Sequence, residues 1–63
     1  MKRYYFYCKW KNGANEEYGA VFSEDTPYTG DVRELRGIQP WVSIFGPYSS
    51  EERAERAKEK ARN

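Results

Sequence analysis

The sequence predicts a small α+β domain, in which a three-stranded antiparallel sheet (an N-terminal β-hairpin plus a third strand) packs on one C-terminal helix. Three stretches carry that expectation. Residues 3–11, RYYFYCKWK, are rich in tyrosine, phenylalanine and tryptophan and lack glycine and proline, which is strand composition. Asn12-Gly13 then supplies the pair that a type I′ hairpin turn wants, because both of its central residues need positive φ. Residues 41–60, WVSIFGPYSSEERAERAKEK, pass from an aromatic and β-branched run through Gly46-Pro47 into a charged, alanine-spaced helix.

At 63 residues the chain is read as a single domain, 1–63, able to bury only about 60% of its unfolded surface. Six tyrosines, three phenylalanines and two tryptophans stand against only Leu35, Ile38 and Ile44 among the larger branched aliphatics. The core must therefore be built from rings, and the phenol groups that enter it need hydrogen-bond partners.

The first strand is expected at 3–11, with Tyr4, Phe6, Cys8 and Trp10 on one face and Tyr5, Tyr7, Lys9 and Lys11 on the other. The second is expected at 16–22. A two-residue turn would set Lys11 opposite Ala14, and a four-residue turn would set Lys11 opposite Glu16. Opposed residue numbers sum to an odd value in both registers, so Tyr5 and Tyr7 would share a face with Tyr18, Ala20 and Phe22, and Phe6 and Cys8 with Gly19 and Val21. Residues 23–40 read as an irregular connection punctuated by Pro27, Gly30, Gly37 and Pro40. Val32, Leu35 and Ile38 have helical spacing after Asp31, a possible cap, so one short helical turn competes there with an extended segment. A third strand at 41–45 should end at Pro47, which lacks an amide hydrogen. The helix at 50–62 has Ala54, Ala57 and Ala61 on one face. Ser49 or Ser50 can cap it, and only Ser49, with Glu52, would make a capping box. Glu52–Arg56, Glu55–Lys58 and Glu59–Arg62 are its favourable charge pairs.

Eleven basic and ten acidic residues leave a net charge of +1, which argues against a binder of duplex DNA. A single cysteine, Cys8, cannot close an internal disulfide, and with no apolar run of signal-peptide or membrane-spanning length a cytoplasmic protein is expected. The chain has no histidine, so an enzyme is not expected. Cys8 reads as a structural residue. Glu24, Asp25 and Asp31 lack metal-loop spacing, and NGAN and TGD are turns rather than phosphate loops; no cofactor and no metal is expected.

The informative excess is aromatic. One helix covers one face of the sheet, which leaves Tyr5, Tyr7, Tyr18 and Phe22, beside Lys9 and Lys11, on the other. Either residues 23–40 fold over that face, or its tyrosines stand half-exposed, or it is a recognition surface. As a surface it would take a protein partner or a second copy, and alternatively single-stranded nucleic acid, whose bases stack on aromatic sheets.

Residues 42–60, VSIFGPYSSEERAERAKEK, resemble the closing strand and helix of a sporulation-related repeat (SPOR) domain, in which a strand, a Gly-Pro-aromatic turn and a helix with an early alanine recur. The likeness covers about one third of the chain, and in that family it implies glycan binding through the sheet. No further strand is expected after the helix, no matching helix after the first strand, and no export signal. The expected role is that of a non-enzymatic accessory or regulatory protein, of the size that bacterial or phage genomes often encode, acting by protein contact or homodimerisation.

Overall fold

A computed structural model of the chain describes residues 1–11 and 15–62. It shows an antiparallel sheet with two helices, in the order β1 (Arg3–Lys11), β2 (Asn15–Tyr18), β3 (Phe22–Glu24), α1 (Thr29–Arg36), β4 (Ser43–Tyr48) and α2 (Glu51–Arg62). The fold is α+β, with the C-terminal helix packed on the sheet.

β1 is the central strand. On one side it pairs with β2 through Cys8↔Tyr18, Lys9↔Glu17, Trp10↔Glu16 and Lys11↔Asn15, and with β3 through Arg3↔Glu24, Tyr4↔Ser23 and Tyr5↔Phe22. On the other it pairs with β4 through Tyr4↔Tyr48, Phe6↔Phe45, Tyr7↔Ile44 and Cys8↔Ser43. The second strand of the expected hairpin is broken at residues 19–21, which makes the sheet four-stranded. The opposed numbers sum to an odd value along β3, as expected, but to an even value along β2. A one-residue slip between the two halves absorbs the difference, and the Gly19 N–H still reaches the Tyr7 carbonyl at 2.8 Å. The expected Asn12-Gly13 turn lies outside the described residues.

That slip corrects the placement of Tyr18. Opposed to Cys8, it lies on the Phe6 face, its ring tilted against Phe6 at 6.2 Å and its hydroxyl donating to the Ala61 carbonyl of α2 at 3.2 Å. Phe6 is 1% exposed and stacks on Phe45 at 5.0 Å and on Tyr48 at 5.9 Å, and fully buried Ala54 lets α2 come close.

Residues 23–40 are not irregular throughout. They hold α1, a two-turn helix whose first-turn position is taken by Asp31, the residue expected to cap it. Tyr28 is the N-cap and makes no side-chain cap bond. Gly37, at φ 61°, ends the helix: its N–H reaches the Glu34 carbonyl at 3.3 Å and the Ile38 N–H reaches the Arg33 carbonyl at 3.0 Å, so two otherwise unpaired carbonyls are satisfied. Val32 faces inward and is fully buried, whereas Leu35 is 70% exposed.

The third expected strand also runs differently. β4 begins two residues late and continues through Gly46-Pro47 to Tyr48 instead of ending at Phe45. A register shift between Tyr4 and Phe6 takes up the extra residue, which is how a sheet tolerates a proline without an N–H to donate. Gly46 adopts φ 137°, and a Cβ there would come within 2.6 Å of the Tyr5 ring and 2.9 Å of the Tyr4 carbonyl. Only glycine fits.

α2 begins at Glu51. Its cap is Ser50, whose hydroxyl accepts from the Arg53 N–H at 3.2 Å, so the capping-box frame at Ser49 is not the one used. Glu52–Arg56 at 2.7 Å, Glu55–Lys58 at 3.6 Å and Glu59–Arg62 at 4.0 Å are the charge pairs that the spacing predicts.

Candidate binding surface

The second face of the sheet carries the aromatic excess and has become a second small core. Tyr5, opposite Phe22, stacks its ring on it at 5.8 Å and is fully buried. Its hydroxyl donates to the Thr26 carbonyl, just before α1. Burial pushes the Tyr5 phenol above its ordinary pKa of 10.0; Arg3 pulls it down, while Asp31 and Glu24 add to the rise. The Arg36 guanidinium lies 4.3 Å from the centre of the Phe22 ring and also reaches Glu24 at 3.6 Å and the Ser23 carbonyl at 3.3 Å. α1 thus closes the Tyr5 and Phe22 part of this face, and covering by residues 23–40 was one of the three readings that the sequence left open.

Of the residues singled out as a binding face, the structure brings together Tyr5, Tyr7 and Phe22. Tyr7 is half-buried, tilted against Phe22 at 6.4 Å, and its ring occupies the space a side chain at Gly19 would need. Lys9 is exposed and lies 4.0 Å from Glu17. Lys11 ends β1 opposite Asn15, and its side chain lies outside what the structure describes. Tyr18 is on the opposite face, as above.

What remains open is the outer edge of the sheet along β4. Trp41 is 70% exposed just before this strand, and Phe45 within it is 37% exposed beyond its contact with Phe6. Val42 is buried. Arg33, a residue the sequence did not single out, pins this approach: its guanidinium donates to the carbonyls of Gln39 and Val42, the latter at 2.7 Å. In a chain that is 33% charged, no charged side chain occurs from Gly37 to Ser50. The opposite edge differs, with Glu17 in β2 and Glu24 in β3.

Two cavities open elsewhere on the surface. One, about 510 Å³, is lined by Tyr48, Ser50, Glu52, Arg53 and Arg56, and the other, about 650 Å³, by Thr26, Asp31, Glu34 and Leu35. In the first Arg56 pairs with Glu52 at 2.7 Å, and in the second the Thr26 hydroxyl donates to Asp31 at 3.0 Å. Among the described residues no cluster of three or more histidine, cysteine or acidic side chains could hold a metal ion, and no helix is long and apolar enough to cross a membrane.

Comparison of the chain with protein-family models, with curated proteins and with solved structures finds no match. The likeness of residues 42–60 to a sporulation-related repeat is therefore not accompanied by a family match.

Proposed function

We propose that this chain is a small non-enzymatic accessory or regulatory protein that works by protein–protein contact, through the aromatic edge formed by Trp41 and β4. The observation that carries the reading is Trp41, a 70% exposed indole on the longest uncharged stretch of a highly charged chain. Tryptophan is the side chain that most often anchors protein contacts, and an uncharged stretch loses little on desolvation. The sealed Tyr5 face and the ion-paired Lys9 support this reading over base stacking by single-stranded nucleic acid. The lone Cys8 suits the reducing cytoplasm.

The experiment compares the proteins retained by the immobilised chain and by its Trp41→Ser variant. A purified candidate is then titrated against a Trp10→Phe background, in which Trp41 is the sole indole. Loss of the partner in Trp41→Ser with circular dichroism unchanged, and a blue shift of Trp41 emission on binding, is the expected result. Identical retention by both proteins sinks the proposal, and so does saturable oligonucleotide binding that weakens steeply with salt.

A further inference from the structure

We infer that Arg33 is a guard built into the fold: from α1 it places a cation on the open edge of β4 and keeps that edge from taking up a further strand. The inference goes beyond the protein-contact reading and does not depend on it. A strand at a sheet edge carries unpaired N–H and C=O groups that another extended chain can pair with, and the usual protection is a charged side chain, a bulge or a proline on the edge itself. Residues 37–50 hold no charged side chain, so a charge for this edge has to come from another element.

Backbone direction shows what the edge offers. In an antiparallel strand the N–H and C=O of one residue point to the same side. The Tyr7 carbonyl accepts from the Gly19 N–H, on the β2 side of β1, so Tyr7 turns away from β4, and Ile44, which it opposes, turns its own N–H and C=O outward. Toward the C-terminus the next outward position is lost where β4 bulges at Gly46, and Pro47 has no N–H. Toward the N-terminus the next position is Val42. Its N–H donates to the Gln39 carbonyl at 3.0 Å, and its carbonyl accepts from the Arg33 guanidinium at 2.7 Å.

The same half-buried guanidinium also donates to the Gln39 carbonyl, and among the described residues no carboxylate pairs with it, so its charge is not cancelled at the edge. Its position is set by its neighbours. Val32 anchors α1 in the core, and the Arg33 carbonyl accepts from the Ile38 N–H at 3.0 Å, in the turn that leads to β4. An added antiparallel strand needs donors and acceptors on alternate residues, yet Ile44 stands alone on the regular part of β4, among the described residues, in offering both. An N–H brought up to the Val42 carbonyl meets a guanidinium already bonded there.

Light scattering and sedimentation across concentration test this on the whole chain, together with amide exchange at Ile44. Wild type should stay monomeric, with the Ile44 amide exchanging fast at every concentration. Arg33→Met, which keeps the apolar stem and removes the donors, should associate as concentration rises, to the mass of a dimer or larger, with the Ile44 amide then protected. Arg33→Lys, which keeps a cation at the edge, should stay monomeric. A wild type that associates with its Ile44 amide protected overturns the inference. So does a folded Arg33→Met that stays monomeric, or an Arg33→Lys that associates equally well. The wild-type measurement needs no variant, so it decides even where Arg33→Met fails to fold. A partner held through Trp41 while the Ile44 amide still exchanges fast supports both readings, whereas protection of that amide by the partner overturns the guard and leaves the protein-contact reading standing.

Discussion

Tyr5 shows how much one residue does in a core this small. Its ring fills the space that a side chain at Gly46 would take, stacks on Phe22, and its hydroxyl ties β1 to the connection before α1. Removing the hydroxyl in Tyr5→Phe leaves the Thr26 carbonyl without this partner and should cost about 1 kcal/mol near neutral pH, measured by chemical denaturation. The same pair of proteins separates by pH. Because the folded pKa lies above the unfolded value of about 10, the native state holds the phenolic proton more tightly. The stability it contributes is complete below pH 10 and is lost as the pH rises through the folded value. Wild type should therefore lose its advantage over Tyr5→Phe in alkaline solution, and a gap that stays constant to pH 11 would show that Tyr5 does not ionise differently in the fold.

At the scale of elements, α2 offers a direct comparison between two adjacent serines. Ser50→Ala removes the hydroxyl that caps the Arg53 N–H and should cost about 1 kcal/mol, whereas Ser49→Ala should change stability by only a few tenths. Thermal or urea unfolding of both variants checks it, and the reverse order would place the cap at Ser49. The extents of β1 and α2 were legible because each is announced by an uninterrupted local pattern, one aromatic and one alanine-spaced. The break between β2 and β3 was not, since nothing in EEYGAVFS distinguishes a slipped strand from a straight one. Tyr18 crossed to the other face for that reason. α1 was half legible: Val32 does face inward, but Leu35, at the matching spacing, is 70% exposed, and the surer signal was Gly37 as a left-handed stop. For β4, the local effect of proline on backbone bonding pointed to an early end, and a bulge opposite β1 overrode it. The aromatic face was visible in the sequence too, whereas its covering by residues 23–40 was one of three readings left open, because Val32, Leu35 and Ile38 fit a helical turn and an extended segment equally well.

For the whole molecule, the arrangement makes β1, among the described residues, the strand that pairs with β2, β3 and β4 alike, with rings packed on both of its faces. Phe6 draws its stacking partners Phe45 and Tyr48 from β4, and Ala54 of α2 closes that side. A chain ending at Val42 lacks all three. It should show no cooperative unfolding transition and no near-ultraviolet circular dichroism from fixed rings, and a sharp transition in that fragment would show that the hairpin and α1 fold by themselves. The order of the strands also sets a timetable. The strand at the centre of the sheet leaves the ribosome before its three partners, and β4 comes about forty residues after the positions it pairs with, roughly 2 to 8 seconds later at about 5–20 residues per second. For that interval the most aromatic segment of the chain waits with one flank open, among the nascent chains of its neighbours.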